Sequence, residues 1–151
     1  MSSLELVLKS IYHLEEEMKP KWGKMSCPQM LMHCNRFIKV YTNEVKFKPP
    51  ISLLSPIFGR LHVFWLRHVI RYNVNKYFKN LPTLSYFNTY RITNIDFTKE
   101  KEELSHRIKF VMEYKKKHIN NTFHGRIKSK TFKDVVEFHT RYHLVQFGAI
   151  K

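Results

Sequence analysis

The chain is poor in glycine and proline, with 4 Gly and 6 Pro among 151 residues. Turn-rich β folds need these residues at their tight turns, so the composition favours long helices. No apolar run approaches the roughly 18 residues that a transmembrane helix requires. The amino terminus lacks the basic and apolar segments of a signal peptide, so we expect a cytoplasmic protein with no membrane partner.

Cysteine is also scarce, since only Cys27 and Cys34 are present. On one predicted helix their Cα atoms lie roughly 10 Å apart, too far for a disulfide, so we expect both to be reduced. Cys34 adjoins His33, but successive helical residues diverge by about 100° and cannot easily face one ion. The sequence therefore favours Cys34 as a small buried hydrophobe over Cys34 as a metal ligand.

Acidic residues are outnumbered, with 12 Asp and Glu against 27 Lys and Arg, and the formal net charge is +15. Residues 45–96 carry 8 basic groups and 1 acidic group, and residues 97–151 carry 13 and 6. Because the excess is spread along the chain, it does not form the focused basic face of a nucleic-acid binder. A solvated, lysine-rich surface is the favoured interpretation, and nucleic-acid binding is the weaker alternative.

What the sequence does contain is helical periodicity, in about five segments of one domain that covers residues 1–151. Two segments span about residues 3–18 and 26–44, and three begin with capping residues at Ser55, Thr98 and Thr131. The third segment is apolar over most of its circumference, so it is predicted to be the most buried. Residues 80–96 are expected to be irregular, with a short extended piece near residues 86–92. Antiparallel helices of these lengths predict an all-α, up-and-down bundle.

Nine histidines stand out against this background, and two of them share a helix face. His139 and His143 are four residues apart, so their rings project from one side of the last predicted helix. That side also carries Val135, Val136 and Tyr142, which directs the pair toward the interior. Two neighbouring buried imidazoles are hard to satisfy without a shared ligand, which favours a metal ion. The glutamate of the H-E-x-x-H metalloprotease motif is absent, so that mechanism is excluded.

A third ligand must come from another helix, and two candidates remain open on spacing alone. His33 shares a face with Met30 and Phe37, which points it inward. His62 lies among apolar residues of the third predicted helix and is its rival. Four of the five other histidines are expected at wall, surface or loop positions, and these are His68, His106, His118 and His124.

Two stretches near opposite ends of the chain resemble a known family. The segment HTRYHLVQFG at residues 139–148 is similar to the H-x-x-x-H-x-x-Q signature that closes the last helix of the DinB/YfiT-like metalloenzyme superfamily. The segment WGKMS at residues 22–26, followed by QML at 29–31 and HC at 33–34, resembles the first-histidine region of an uncharacterised branch. Phe138 departs from the pattern, because many relatives have a polar residue before the first histidine of the pair.

The resemblance implies a four-helix bundle in which His33, His139 and His143 bind a divalent metal, most often nickel or zinc. It thereby selects His33 over His62. Three neutral histidines with an open fourth position describe a catalytic type of site. Superfamily relatives include thiol-dependent transferases, and they are often dimers, so a low-molecular-weight thiol and a homodimer are implied here too. Gln146 and Tyr142 flank the histidine face and are candidates for orienting water or substrate.

Two main hypotheses of function follow. The first is a metal-dependent thiol transferase or hydrolase acting on a small molecule, whose identity the sequence does not reveal. The second is a non-catalytic bundle that binds a metal ion or a partner. A basic nucleic-acid-binding protein is the third and least favoured.

Overall fold

The computed structural model describes residues 2–150, which form five α-helices and one two-stranded antiparallel sheet. The elements in chain order are α1 (Ser3–Tyr12), α2 (Cys27–Tyr41), α3 (Ile51–His68), α4 (Phe97–Glu113), β1 (His118–Asn121), β2 (Gly125–Lys128) and α5 (Ser129–Gln146). Single 3₁₀ turns occur at Val74–Lys76 and Ser85–Phe87. The prediction of a mostly helical chain with about five helices is confirmed, whereas the sheet was not predicted.

The best-predicted helix start is that of α2, where Ser26 forms a capping box with Gln29. The Ser26 hydroxyl accepts a hydrogen bond from the Gln29 backbone N–H, and the Gln29 side-chain oxygen accepts one from the Ser26 N–H at 2.8 Å. Each bond satisfies a donor that the helix itself leaves free. This cap fixes the first turn of α2, which carries His33 about two turns after Ser26.

Three predicted helix starts were wrong. Helix α3 begins at Ile51, four residues before Ser55. The Ser55 hydroxyl does not cap the helix, because it donates a hydrogen bond to the Thr122 carbonyl. Helix α4 is capped by Asp96, whose side chain accepts from the Lys99 N–H at 2.9 Å, and not by Thr98. Helix α5 begins at Ser129, directly after β2, and has no side-chain cap.

Helix α1 ends at Tyr12 and not near residue 18. Its end is closed by short turns, in which the N–H groups of His13 and Leu14 bond to the carbonyls of Ser10 and Ile11. The chain then runs into residues 15–17, which are all glutamate. Acidic side chains are unfavourable at the negative carboxyl end of a helix, which is the physical reason for the early stop. Leu14 is nevertheless buried, so the helical periodicity predicted its burial correctly but not its conformation.

The core is formed by four of the helices, α1, α2, α4 and α5, which pack against one another. Each contributes fully buried apolar side chains, for example Val7, Leu31, Ile108 and Val136. The loop that follows α3 adds Phe87, which is also buried. No helix among residues 2–150 is long and apolar enough to cross a membrane.

The prediction that the third helix is the most buried was wrong. Only Ser55, Gly59 and Leu66 of α3 are buried, and several of its large apolar side chains are exposed. One face of α3 lies against the turn between β1 and β2, so closely that a Cβ atom on Gly59 would lie 2.3 Å from the Phe123 carbonyl oxygen. The opposite face has no partner within the described chain. Apolar periodicity around a helix therefore did not indicate how many of its sides are covered.

The two strands form a hairpin that leads directly into α5. Ile119 pairs with Ile127, and both are buried against the core. The turn contains His124, which the sequence placed near a loop but which is fully buried. The expected extended piece at residues 86–92 is instead a 3₁₀ turn and irregular chain.

Candidate metal centre

The three predicted histidines meet at one point of the structure. His33 comes from α2, and His139 and His143 come from successive turns of α5. One ring nitrogen of each lies within 4.8 Å of the others, and the Nε2 atoms of His33 and His139 are 3.1 Å apart. Tetrahedral ligands of a zinc ion, at the usual bond length, would be about 3.3–3.4 Å apart. The His33–His139 pair is therefore close to the spacing that one divalent ion requires, whereas the longest separation in the group exceeds it.

The backbone carbonyl of Phe87 fixes the ring of His33. His33 Nδ1 donates a hydrogen bond to this carbonyl at 2.7 Å, because the carbonyl can only accept. A neutral imidazole has one N–H, so His33 Nε2 keeps its lone pair and faces the cluster. A metal-binding histidine usually has this kind of partner on its second nitrogen. Phe87 lies in the segment that the sequence predicted only as irregular, so no sequence signal identified it.

The side chain of Gln146 fixes the ring of His143 in the same way. Gln146 Nε2 donates to the Trp22 carbonyl at 2.6 Å, and this orientation leaves its Oε1 as an acceptor. His143 Nδ1 therefore donates to Gln146 Oε1 at 2.8 Å, and His143 Nε2 keeps its lone pair. Gly23 lies against this amide with a positive φ of 88°, and a Cβ there would lie 2.6 Å from Gln146 Nε2. Glycine is thus required beside the amide, within the WGKMS segment.

The third ring, His139, stacks on Phe37 with ring centroids 3.8 Å apart and nearly parallel planes. Its Nδ1 atom is buried and has no hydrogen-bond partner among the described residues. The ring is partly exposed to an adjoining cavity, whereas His33 and His143 are buried. Because His33 Nε2 carries only a lone pair, its 3.1 Å contact is a hydrogen bond donated by His139 Nε2, and in its other tautomer His139 would present a third lone pair to an ion. The donor set therefore fits a divalent ion.

Burial keeps all three rings neutral at physiological pH. Burial, together with the nearby Arg36 guanidinium, lowers the pKa of His33 despite the hydrogen bond to Phe87. Burial lowers the pKa of His143 to about 3, and the neighbouring His33 adds to this effect. Burial and the charges of the other two rings lower the pKa of His139 well below its ordinary value. Neutral imidazole is the form that binds metal, so the pocket prepares the ligands for coordination.

The cluster opens into a cavity of about 700 Å³. Aromatic rings dominate its walls: Trp22, Phe37, Tyr77, Phe78, Phe87, Tyr90, Phe123, Phe138 and Tyr142. Among the described residues that line it, none is Asp or Glu, whereas Lys24 contributes a positive charge. A mostly apolar cavity with a few convergent polar groups is typical of a small-molecule site. The absence of lining carboxylates disfavours a cationic occupant.

The two side chains predicted to orient water or substrate are both near the cluster and both already engaged. Gln146 bridges His143 and the Trp22 carbonyl through its two polar atoms. The Tyr142 hydroxyl accepts from Trp22 Nε1 at 3.2 Å and donates to the Phe78 carbonyl at 3.2 Å. Gln146 thus positions a ring of the cluster, and the catalytic roles of both residues stay predictions.

The other residues that the sequence analysis considered as metal ligands lie outside the cluster. His62 lines the same cavity, but its Nε2 is hydrogen-bonded to the Tyr77 hydroxyl at 3.1 Å. His124 is paired with the Tyr41 hydroxyl at 2.6 Å inside the core. Cys34 is buried and free, with its sulfur against Met30, and burial raises its pKa, so it is the inert hydrophobe that was predicted.

Replacing Gln146 by methionine should lower the affinity for Zn²⁺ roughly 10- to 100-fold, because the His143 ring loses the acceptor that sets its tautomer. Competition titration with a chromogenic chelator measures this change. Gln29→Met is the matched control, since Gln29 also donates to backbone carbonyls, those of Tyr90 and Ile92, but away from the cluster. It should lower stability and leave metal affinity unchanged. Equal affinities for Gln146→Met and the wild type would remove Gln146 from the site.

Comparison of the chain with protein-family models, with curated proteins and with solved structures found no match in any of the three.

Proposed function

We propose that this chain is a divalent-metal-binding protein of the DinB/YfiT-like superfamily, with His33, His139 and His143 as ligands in an up-and-down four-helix bundle. Its function is that of a metal-dependent enzyme, a thiol transferase or a hydrolase, acting on a small molecule. The observation that carries the proposal is the convergence of three imidazoles, two of them held with lone pairs inward, at the wall of an aromatic cavity.

The ligand number supports a catalytic type of site. Three protein ligands leave one tetrahedral position for a water molecule or a substrate, whereas structural zinc sites use four. The partly exposed ring of His139 lies on the cavity side of the cluster, which gives that position access to small molecules. When bound, a divalent ion supplies Lewis acidity to a water or thiol in the cavity.

The charge of the site supports an anionic group on the substrate. Three neutral histidines do not compensate the two positive charges of the ion, and no described lining residue is acidic. Burial raises the pKa of Tyr77 to about 12, so its hydroxyl stays protonated in the cavity wall. A thiol that ionises on binding would compensate the charge, which supports a thiol as co-substrate.

Imidazole nitrogen ligands suit nickel and zinc among the common divalent metals. Among the described residues the cluster contains no carboxylate, which disfavours magnesium and calcium because these ions prefer oxygen ligands. We therefore propose nickel or zinc as the ion.

The proposal is tested on protein purified without a histidine tag and loaded with Zn²⁺ or Ni²⁺. We expect one ion per chain by elemental analysis and an anomalous signal at the three histidines. We also expect turnover when low-molecular-weight thiols are combined with electrophiles, or when simple esters are supplied. One bound ion without turnover on any of these would contradict the enzymatic part, and no bound ion would contradict the whole.

A second candidate function is structural, because the ligands come from α2 and α5, two helices of the core. An ion there would tie the two helices together and stabilise the fold by mass action. A large metal-dependent rise in the free energy of unfolding without catalysis would favour this alternative.

A further inference from the structure

One face of α3 consists of large apolar side chains that nothing in the described chain covers. This surface, the α3 apolar face, is formed by Leu53, Leu54, Ile57, Phe58, Leu61 and Phe64, which are 50–70% exposed. Their spacing places them side by side on one side of the helix. Together they expose on the order of 600 Å², the upper end of what a soluble monomer usually shows in one patch.

The opposite face of α3 is anchored, so the helix cannot rotate to bury these residues. The Ser55 hydroxyl donates to the Thr122 carbonyl, and Gly59 lies in contact with Phe123 and His124. Leu66 is fully buried on the same side, and Arg67 donates to the Thr131 hydroxyl at 3.0 Å. The α3 apolar face is therefore held outward by contacts along the length of the helix.

The segment of the chain that contains this face is strongly basic. No acidic residue occurs between Glu44 and Asp96, whereas the segment around α3 carries exposed basic residues, namely Lys46, Lys48, Arg60, Arg67, Arg71, Lys76 and Lys79. In the part of the chain that the structure describes, none of the seven forms an ion pair. Arg60 and Arg67 lie on α3 itself, along one edge of the apolar face. The surface thus combines an apolar centre with an uncompensated cationic border along one edge.

We propose that the α3 apolar face docks on a bilayer surface rich in anionic lipid. An apolar helix face with Lys and Arg at its border is the pattern of a helix that lies in the interface of a membrane. The basic border would contact anionic headgroups, and the leucine, isoleucine and phenylalanine side chains would enter the boundary of the acyl chains. Such contact is peripheral and requires no spanning helix, and it departs from the expectation of no membrane partner.

Other occupants fit these observations less well. A second copy would bring an identical cationic border against the first, and like charges would oppose the contact. A protein partner usually forms about one hydrogen bond per 100–200 Å² of interface. The six side chains of the α3 apolar face contain no polar atom with which to form them. Acyl chains form no hydrogen bonds, so they fit a surface that offers none.

The proposed surface is next to the cavity. Phe78 is 61% exposed, lines the cavity, and stacks on Trp65 of α3 at 5.5 Å between ring centroids. Docking would therefore hold the cavity beside the bilayer, from which a small molecule with both an apolar part and an anionic group could enter.

Co-sedimentation of the full chain with vesicles tests the proposal. We expect binding to phosphatidylcholine vesicles that contain roughly one third phosphatidylserine, weakened by added salt, and no binding to pure phosphatidylcholine. The Phe58→Ser/Phe64→Ser variant should lose about tenfold or more in affinity. Phe110→Ser is its control, because Phe110 is a 48% exposed phenylalanine on α4.

A charge-reversal pair tests the cationic border. Lys48→Glu/Arg60→Glu should also weaken binding about tenfold or more, whereas Lys99→Glu/Lys109→Glu changes the net charge equally on α4 and should have a smaller effect. Absence of binding to anionic vesicles at low salt would overturn the proposal. So would a stable dimer in solution that Phe58→Ser/Phe64→Ser dissociates, since the second copy would then be the occupant. Neither result would bear on the metal site, which the test leaves intact.

Discussion

We expect the His143→Ala variant to lose stoichiometric binding of Zn²⁺ and Ni²⁺ while keeping most of its helical content. The change removes one of three ligands, and the remaining two, His33 and His139, cannot hold the ion at physiological concentrations. The affinity should fall by more than about a hundredfold, since loss of even an outer partner of a ligand costs 10- to 100-fold. Elemental analysis after dialysis and far-ultraviolet circular dichroism measure the two parts of the result.

The matched control is His62→Ala. His62 lines the same cavity and, like the cluster, has its pKa lowered by burial, but it is bonded to Tyr77 and lies outside the group of three. This variant should keep one ion per chain. Retention of the ion by His143→Ala, or its loss from His62→Ala alone, would show that the ligand assignment is wrong.

The second large effect that we expect is a steep loss of stability in mildly acidic solution for the metal-free protein. Four histidines, the buried His33, His124 and His143 and the partly exposed His139, have pKa values below the ordinary value of about 6.5, and loss of hydration on burial is the main cause in each. In the unfolded chain these rings bind protons near pH 6.5, and in the folded chain they do so only at lower pH. The unfolded state therefore gains protons first, and stability falls as the pH drops below about 6.5.

The expected slope is about 1.4 kcal/mol per pH unit for each ring whose folded-state pKa lies far below the pH, so His124 and His143, with pKa values of about 3, contribute about 3 kcal/mol per unit. His33 and His139 add to this slope in the same direction. Urea unfolding at pH 7.5, 6.5 and 5.5 measures it, and a constant m-value shows that the same transition is compared. Protonation of carboxylates affects stability at lower pH than these histidines do. For example, the hydrogen bond from the Arg107 guanidinium holds the pKa of Glu44 at about 2. A free energy of unfolding that is flat between pH 7.5 and 5.5 would contradict the neutral, buried state of the cluster. Metal binding should fade over the same range, below about pH 6, as protons compete for the rings.

The sequence predicted the helices well where a cap and a periodic pattern agree, as at Ser26, whose capping box opens α2. It predicted the start of a helix poorly where the capping residue forms a tertiary hydrogen bond instead. Ser55 donates to Thr122 on the distant hairpin, so α3 starts earlier than its capping pattern indicated. The hairpin itself was missed because each strand has only four residues and is too short for a clear alternation.

Some features of the candidate site could likewise be predicted from local sequence, and others could not. The four-residue spacing of His139 and His143 places both rings on the buried side of α5. The third ligand, His33, could be selected over His62 only through the resemblance to a family. Spacing within one helix contains no information on which helices meet. The Phe87 carbonyl and the stacking of Phe37 on His139 depend on the packing of segments far apart in the chain. Neither has a local sequence signal.

The sequence by itself determined the helical class, the reduced cysteines and the pairing of two histidines on one helix face, because each follows from neighbours within a few residues. Only the tertiary structure decided how close the ring of His33 lies to this pair, which nitrogens keep their lone pairs, and which side of α3 is left uncovered. These depend on contacts between Trp22 and Gln146, His33 and Phe87, or Gly59 and Phe123, each more than 50 residues apart. Helical periodicity describes the faces of a single helix, and only folding decides what covers them.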